Sequence, residues 1–450
     1  MLKSQIFKAN DIRGIVGTEW DMAGAYSLGC AFALLIPQKK IVVSRDMRVS
    51  SPEILSSFLC GVVDTGTSVV DLGLASTDEL WFASGLMDLP GVQITSSHNT
   101  SIYNGLKMCM PGAKPVTPLF LKELAHLAQA IDSGEHHVTK VANPASVHHH
   151  DIGESYADYL LKHVNMTGKR HMKVVIDAGN GMGGLSSRAV LSKLDIELVG
   201  LFMDLDGTFP NHQPNPLEPQ NLVDAQQAVV AHGADLALVF DGDADRVFVI
   251  DERGQVVSPS VITAMISVRL LDKEPGATVI VNTTISEAVH EIIKEHGGTV
   301  IESRVGHTYI KALMAESNAI FGGEHSAHYY FRDFFGADTG MLAALHVLAE
   351  VGKTDKPLSE IVDSYSRYEA SGEINMTVHE PERAIIKVAE AFGRNAEVHT
   401  NDGLKIRGDQ WCLCVRSSNT EPLVRLNVEA RSSELMAKLR DEVLFLLKEE

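Results

Sequence analysis

Cysteines are few in this chain of 450 residues, and they form no pattern typical of a metal site. They are Cys30, Cys60, Cys109, Cys412 and Cys414. No two of them are spaced as Cys-x-x-Cys, and an odd number without a disulfide framework fits a reducing compartment. The sequence therefore predicts a cytoplasmic protein, and we expect Cys412 and Cys414 to pack on one face of a strand.

Long apolar runs are also missing. No uninterrupted run is long enough to span a bilayer, and residues 1–8 lack the apolar core of a signal peptide. The composition, with 45% hydrophobic and 22% charged residues, is that of a globular protein in water. We therefore expect no membrane partner.

Positive charge is scarce, with 39 Lys and Arg against 58 Asp and Glu, which gives a formal net charge of −19. This excess argues against nucleic acid and anionic membranes as partners, because both would be repelled. A phosphorylated substrate would also be repelled at long range, so any anion site must be local. Residues 405–431 supply one, with five Lys and Arg against three Asp and Glu.

The length predicts roughly three domains. Up to about residue 365, short apolar runs alternate with helical stretches, which predicts mostly parallel sheets with helices on both faces. From about residue 370, neighbouring strands and a closing helix predict an α+β unit. The predicted domains are residues 1–150, 151–255, 256–368 and 369–450, and residues 138–151 are expected to form a linker.

The strongest chemical signal is the segment Asp241-Gly242-Asp243-Ala244-Asp245-Arg246, hereafter the acid loop. It directly follows a predicted buried strand at residues 236–240. Three carboxylates this close repel one another unless a hard cation neutralises them, and oxygen ligands favour Mg²⁺ or Ca²⁺. Arg246 adds a cation of the kind that binds phosphate. We predict a catalytic Mg²⁺ site.

Three other interpretations of the acid loop remain open. With Glu252 at the twelfth position, the loop imitates a calcium-binding helix-loop-helix, although Arg246 replaces the required glycine and a strand is predicted after it. The loop could be an acidic turn without metal. It could also belong to a phosphatase with Asp241 as nucleophile and Asp243 as acid.

Other polar loops follow predicted strands. Ser97 next to His98 could act as a nucleophile if a base or metal activates it, and Lys107 could move a proton or steady an anion. The segment 323–328 has donors and acceptors that suit sugar hydroxyls, and His307 could transfer protons near neutral pH.

A basic hairpin is predicted near the end of the chain. Ser417-Ser418-Asn419-Thr420, flanked by Arg416 and Arg425, has the donor density that a phosphate dianion needs. The alternative is an ordinary polar hairpin whose two arginines face opposite sides.

One glycine-rich segment points to a different function. Residues 179–184 satisfy Gly-x-Gly-x-x-Gly after a predicted strand, and Asp204 stands twenty residues beyond Gly184, as in dinucleotide-binding proteins. A dinucleotide site would explain neither the acid loop nor the basic hairpin, and the glycines could simply permit a tight turn.

Five segments together resemble the α-D-phosphohexomutase superfamily, most closely its bacterial phosphomannomutases. They are Asp11-Ile12-Arg13-Gly14, Ser97-His98-Asn99, the acid loop, Gly323-Glu324-x-Ser326-x-His328, and Arg416 to Pro422. The resemblance covers nearly the whole chain. It implies three related α/β domains with mixed, mostly parallel sheets, plus a smaller C-terminal α+β domain, around a central cleft.

The resemblance also implies roles for individual residues. Ser97 would carry a phosphoryl group and, with Asp241, Asp243 and Asp245, bind Mg²⁺. The implied catalytic residues are Ser97, His98, Lys107, Arg246 and His307, with Lys107 and His307 as the candidates for proton transfer. Glu324 and Ser326 would hold the sugar's 3- and 4-hydroxyls. The implied ligands of the distal phosphate are Arg416, Ser418, Asn419, Thr420 and Arg425. Arg13 and His328 are further substrate-binding candidates.

The implied reaction interconverts mannose 6-phosphate and mannose 1-phosphate through a phosphoserine and a hexose bisphosphate, with hexose 1,6-bisphosphate as activator. GDP-mannose supply and a monomer or homodimer are family-level expectations. The alternatives are a phosphoglucomutase or phosphoglucosamine mutase, a phosphatase, and a non-catalytic sugar-phosphate binding protein.

The chain departs from the family pattern in the serine segment and in the sugar segment. The family usually has Thr-Ala-Ser-His-Asn-Pro, whereas Ser96 replaces alanine and Thr100 replaces proline here. Loss of the fixed proline φ angle is expected to loosen this loop. His325 stands where relatives commonly have other residues, which leaves the sugar preference open.

Overall fold

The computed structural model describes residues 2–166, 170–417 and 423–448. The chain divides into two compact units, and each is described separately. The first comprises Met1–Val257 and Ser326–Ser359, and the second comprises Ser258–His325 and Glu360–Glu450. Over the described ranges, no helix has both the length and the apolar character needed to cross a membrane.

The first unit begins with a mixed sheet. Its strands are β1 (Ile12–Ile15), β2 (Lys40–Arg45), β3 (Ser68–Leu74), β4 (Gly91–Ile94), β5 (Tyr103–Met110), β6 (Lys114–Pro115) and β7 (Val147–His149). β2 pairs in parallel with β3 and β4, whereas β5 runs antiparallel to both β4 and β1. The chain therefore leaves β4 at one end of the sheet and returns through β5. The connection between them, taken with Tyr103 at the start of β5 (residues 95–103), is hereafter the serine loop.

The expected linker at residues 138–151 contains a strand, so that expectation is wrong in part. β7 pairs in parallel with β3 at the edge of the first sheet. All three of its residues are exposed. An exposed edge strand has no apolar alternation, and for that reason the sequence pattern does not reveal it.

Four helices accompany this sheet. They are α1 (Met22–Leu35), α2 (Ser51–Asp64), α3 (Thr77–Met87) and α4 (Pro118–Ser133). The start of α3 is fixed by a capping box, in which Ser76 and Glu79 each accept a hydrogen bond from the other's backbone N–H. This cap places Thr77 at the first turn, where it meets the acid loop.

A second sheet in the first unit carries the acid loop. Its strands are β8 (Met172–Asp177), β9 (Ile196–Leu201), β10 (Leu236–Phe240), β11 (Val247–Asp251) and β12 (Val256–Val257), and its helices are α5 (Gly153–His163), α6 (Gly183–Leu191) and α7 (Val223–His232). β10 is parallel to β8 and antiparallel to β11, and every residue of β10 and β11 is buried. The acid loop thus connects two buried strands. A helix-loop-helix calcium site is wrong, because β11 stands where its second helix would begin.

The remainder of the first unit comprises β16 (Tyr329–Phe331), β17 (Ala337–Asp338) and α11 (Gly340–Val351), with β16 antiparallel to β17. α12 (Leu358–Tyr365) spans the point where the chain passes into the second unit.

The second unit has an α/β part and a C-terminal antiparallel sheet. The α/β part contains α8 (Pro259–Leu271), β13 (Thr278–Asn282), α9 (Glu287–Glu295), β14 (Thr299–Ser303), α10 (His307–Ser317) and β15 (Phe321–Gly323). β13 runs parallel to β14 and β15. The C-terminal part contains β18 (Glu369–Ala370), β19 (Ile374–Thr377), α13 (Pro381–Phe392), β20 (Glu397–His399), β21 (Leu404–Gly408), β22 (Trp411–Ser417), β23 (Leu423–Ala430) and α14 (Ser433–Lys448).

The C-terminal sheet has one apolar and one polar face. Val424, Leu426 and Val428 alternate along β23 and are buried with Val388 of α13 and Val443 of α14. The residues between them on β23 lie on the opposite face. The predicted α/β fold with a C-terminal α+β part is confirmed.

Candidate active site

The serine loop sets the Ser97 hydroxyl against the acid loop. Ser97 is 3% exposed and has a left-handed φ of 49°. Its backbone N–H donates to Thr95 Oγ1 at 3.0 Å, and its hydroxyl donates to Asp241 Oδ2 at 3.0 Å. The structure therefore brings together the predicted phosphoryl carrier and the predicted metal loop.

The neighbouring Ser96 has a different environment. Its hydroxyl is buried and has no hydrogen-bond partner among the described residues. Because Ser97 and not Ser96 bonds Asp241, the geometry supports Ser97 as the reactive serine of the pair.

The acid loop collects three buried carboxylates. Asp241, Asp243 and Asp245 are at most 1% exposed, and one oxygen of each lies within 4.8 Å of the others. Asp243 Oδ1 and Asp245 Oδ1 accept no hydrogen bond within the described part of the chain. Buried carboxylate oxygens without donors are costly unless a cation binds them. This donor set fits a hard divalent cation such as Mg²⁺.

Lys107 on β5 and Thr77 at the start of α3 hold the acid loop. Lys107 Nζ lies 2.6 Å from Asp243 Oδ2 and also contacts Asp245. The Thr77 hydroxyl donates to Asp243 Oδ2 at 2.5 Å, and its backbone N–H donates to the Asp243 carbonyl at 3.0 Å. Burial raises the pKa of all three loop carboxyls. At Asp243, Lys107 together with Thr77 and Arg246 outweighs burial and lowers the pKa, whereas the pKa values of Asp241 and Asp245 stay raised.

Arg246 and His98 complete the surroundings of Ser97. Arg246 Nε donates to Asp241 Oδ2 at 2.9 Å, and a terminal nitrogen of Arg246 contacts His98 Nδ1. Burial and the cations Arg246, Arg13 and Lys107 hold the pKa of His98 well below its usual range. A guanidinium only donates, so His98 Nδ1 is an acceptor, and it lies 3.2 Å from Ser97 Oγ.

Two other predicted residues lie around these loops in the first unit. Arg13 on β1 pairs with Asp11 at 2.7 Å and contacts the Asn99 side chain of the serine loop. His328 Nε2 lies 3.7 Å from Asp245 Oδ1, and its Nδ1 lies 3.1 Å from the Ser326 hydroxyl. The His328 backbone also forms a β-bridge with Arg246.

The sequence analysis did not identify Arg48 as a residue that binds the serine loop, nor Thr77 as a residue that binds Asp243. Arg48 is completely buried and donates to four carbonyls, all from residues of the serine loop. Its position in the sequence could have indicated a role. Arg48 follows the carboxyl end of β2, a parallel neighbour of β4, and functional residues of open sheets commonly lie at the carboxyl ends of parallel strands.

The predicted sugar-binding and proton-transfer residues Glu324 and His307 lie in the second unit. Glu324 follows β15 and is 2% exposed, and Asn282 Nδ2 lies 3.5 Å from its Oε2. His307 is the first residue of α10.

The arginines of the basic hairpin share one face of the C-terminal sheet. Arg416 on β22 stands directly opposite Arg425 on β23, and cross-strand partners project to the same side. The open alternative with arginines on opposite sides is therefore wrong. Arg416 pairs with Asp402 at 3.2 Å and Arg425 with Glu373 at 3.4 Å. The predicted ligands Ser418, Asn419 and Thr420 lie outside the described residues.

The glycine-rich segment packs its backbone against neighbouring backbone. The Met182 N–H donates to the Gly242 carbonyl at 2.9 Å, which links the segment to the acid loop. A Cβ on Gly184 would lie 2.2 Å from the Met203 carbonyl oxygen. Close packing therefore explains these glycines, as the tight-turn interpretation proposes.

Four family models match successive parts of the chain. The alpha/beta/alpha domains I, II and III of phosphoglucomutase/phosphomannomutase match residues 4–135, 154–254 and 258–368. The C-terminal domain of the same family matches residues 373–445. Three α/β domains and a smaller C-terminal domain, as predicted, make up the chain.

Similar proteins match over the full length. A phosphomannomutase of Escherichia coli strain K12 is 37% identical and covers 100% of both chains. A protein named phosphohexose mutases from Xanthomonas campestris is 34% identical over 97% of both chains. A crystal structure of a phosphoglucomutase/phosphomannomutase family protein from Burkholderia thailandensis has a TM-score of 0.90 and 30% identity, covering 100% of this chain and 98% of that one.

Proposed function

The chain belongs to the phosphoglucomutase/phosphomannomutase family, and we propose that its reaction is the interconversion of mannose 6-phosphate and mannose 1-phosphate. As a family member it is a phosphohexomutase, an isomerase-class phosphotransferase. The preference for mannose is part of the proposal. It draws support from full-length relatives at 34–37% identity that are named phosphomannomutase.

The observation that carries the proposal is the buried bond between the Ser97 hydroxyl and Asp241. In the proposed cycle, phosphoserine 97 transfers its phosphoryl group to the free hydroxyl of a hexose monophosphate, and the proton of that hydroxyl is passed on to the Ser97 oxygen that the phosphoryl group leaves. The resulting hexose bisphosphate returns its other phosphoryl group to the Ser97 oxygen and leaves as the isomeric monophosphate. Hexose 1,6-bisphosphate phosphorylates an unmodified Ser97 and so acts as activator.

The residues around Ser97 suit this transfer. We propose that Asp241, whose Oδ2 accepts the Ser97 hydroxyl at 3.0 Å, takes the serine proton when Ser97 is phosphorylated, and that His98, whose Nδ1 accepts from Arg246, holds the guanidinium beside Ser97. Arg246 offers positive charge beside the transferring group. The Lys107 ammonium, which contacts Asp243 and Asp245, is a candidate for donating a proton to the sugar oxygen that gives up its phosphoryl group. Positioning and electrostatics supply most of the rate in such transfers.

Asp241, Asp243 and Asp245, together with the Ser97 oxygen, are proposed to hold Mg²⁺. When bound, Mg²⁺ neutralises negative charge on the transferring phosphoryl group. The two carboxylate oxygens without donors support this assignment.

Substrate recognition by the second unit is also a proposal. Glu324 is the candidate acceptor of hydrogen bonds from the sugar hydroxyls. Arg416 and Arg425 are the candidates for binding the distal phosphate. His307 is the candidate for proton transfer. Arg13, Ser326 and His328 are the first unit's substrate-binding candidates. A cytoplasmic role in GDP-mannose supply belongs to the same proposal.

The decisive assay supplies purified protein with Mg²⁺, catalytic glucose 1,6-bisphosphate, and either mannose 1-phosphate or glucose 1-phosphate. We expect rapid formation of the 6-phosphate with a higher kcat/KM for mannose. A preference for glucose would assign a phosphoglucomutase instead. Release of inorganic phosphate would contradict the proposal, because it indicates a phosphatase. Turnover of neither sugar would also contradict it.

A further inference from the structure

Every N–H group of the Arg48 guanidinium has an acceptor. Its Nε donates to Asp46 Oδ2 at 3.1 Å. The four carbonyls that accept from its terminal nitrogens all belong to the serine loop. They are those of Ser97, Asn99, Thr100 and Tyr103, at 2.7, 2.7, 2.8 and 3.0 Å. A guanidinium has five N–H donors, so these five bonds saturate it.

The Ser97 carbonyl is held from two sides. Arg48 donates to it on one side, and Gly242 of the acid loop packs against it on the other, where a Cβ would lie 2.4 Å from the oxygen. Ser97 has a left-handed φ of 49°, which is unfavourable for a serine and persists only when its surroundings impose it. Arg48 and Gly242 are the surroundings that fix the peptide following Ser97.

Arg48 is itself fixed by its neighbours. Asp46 also accepts from the Arg48 backbone N–H at 3.0 Å and from the Ser51 hydroxyl at 2.6 Å. The Phe209 ring covers the guanidinium at 5.1 Å from its centroid. The arginine is therefore a rigid support with one charged partner and four bonds directed at a single loop.

We propose that Arg48 is a positioning residue for phosphoryl transfer. By binding four carbonyls of the serine loop, it holds the Ser97 oxygen in the orientation that Asp241 and His98 require. The inference rests on the proposed function only for the identity of the group transferred at Ser97. One of the four bonds reaches the carbonyl of Thr100, the residue that stands where the family usually has proline.

The first test is Arg48→Lys, measured at saturating Mg²⁺. Lysine keeps the positive charge but has three donors in place of five, so carbonyls of the serine loop lose their partners. We expect kcat to fall roughly 10- to 100-fold because the reacting oxygen is displaced, while KM stays within about twofold.

Arg45→Lys is the control, because it changes an arginine on the same strand–loop segment that bonds the Asp46 carbonyl at 3.2 Å, and it should leave kcat unchanged. Asp46→Asn removes the charged partner that fixes Arg48 but leaves the four bonds to the loop, so kcat should fall by a smaller factor than in Arg48→Lys. Activity is expressed per folded molecule, determined by circular dichroism.

Gly242→Ala keeps the test valid if Arg48→Lys does not fold. Its Cβ pushes the Ser97 carbonyl from the opposite side, so kcat should fall with KM unchanged while Arg48 is intact. The inference is overturned if either Arg48→Lys or Gly242→Ala keeps the wild-type kcat. It is also overturned if the loss appears only as a rise in KM, or if Arg45→Lys loses kcat equally. An inactive wild-type protein would instead overturn the proposed function.

Discussion

Ser96 and Ser97 are adjacent hydroxyls in different environments, and this allows a matched pair of variants. Ser97→Ala should lower mutase activity by more than roughly 1,000-fold, because the variant cannot carry a phosphoryl group. Ser96→Ala should keep near wild-type activity, because its hydroxyl bonds nothing described in the site. The measurement is 6-phosphate formation, with intact mass to detect phosphoserine. Full activity in Ser97→Ala, or equal losses in both variants, would contradict the mechanism.

The Ser96 hydroxyl should also reduce stability. It is buried, and no hydrogen-bond partner is found for it within the described ranges. Desolvating a polar group without a partner costs about 1–3 kcal/mol. We expect Ser96→Ala to raise the free energy of unfolding by up to that amount, measured by urea denaturation. An unchanged or lowered stability would show that the hydroxyl is satisfied in solution, for example by water.

At the scale of elements, the register of β22 and β23 decides what the basic hairpin can do. Arg416 and Arg425 are directly opposite and project from the same face, so one phosphate group can meet both. Loss of a hydrogen bond to a charged group costs about 1.5–3 kcal/mol, which corresponds to a KM increase of roughly 10- to 150-fold for Arg416→Ala. Arg431→Ala, which removes an arginine bonded to Glu291, provides a control with unchanged KM. An unchanged KM in Arg416→Ala would show that the hairpin does not bind substrate.

The sequence predicts elements whose residues carry their own signal. The apolar run at 236–240 and the carboxylates after it predict β10 and the acid loop, and the structure confirms that strand. The edge strand β7 carries no such signal because its residues are exposed. Arg48 and Thr77 could not be assigned from sequence, because their roles depend on contacts with loops about 50 and 166 residues away. Local patterns do not encode such pairs.

At the scale of the molecule, the net charge of −19 is compatible with an anionic substrate. In the first unit, Arg246 and Lys107 contact the acid loop, and in the second unit Arg416 and Arg425 place two guanidinium groups on one face of the sheet. Charges that hydrogen-bond the substrate contribute more to its binding free energy than distant charges do, because salt screens exposed charges beyond about 8–10 Å. The overall charge therefore disfavours the binding of polyanions more strongly than the binding of small phosphates.

The stability of the first unit should depend on pH through Asp78. This carboxylate is completely buried at the start of α3 and accepts hydrogen bonds from Tyr156 at 2.6 Å and Thr339 at 2.7 Å. Burial raises its pKa from 3.8 to about 6, and the nearby carboxylate Asp338 acts in the same direction. Glu79, also buried in α3, has a pKa raised to about 7.

A raised carboxyl pKa means that the folded state binds more protons than the unfolded state between pH 4 and 6, so stability falls as the pH rises through this window. For Asp78, the loss is about 3 kcal/mol. Asp78→Asn removes this titration, so the stability of the wild type relative to the variant should fall by about that amount from pH 4 to 7. Urea denaturation followed by tryptophan fluorescence in variants that lack Trp411 measures the difference, because Trp20 and Trp81, which remain, both lie in the first unit. Glu434→Gln, at an exposed site on α14, should give a curve parallel to the wild type, and a parallel curve for Asp78→Asn would contradict the raised pKa.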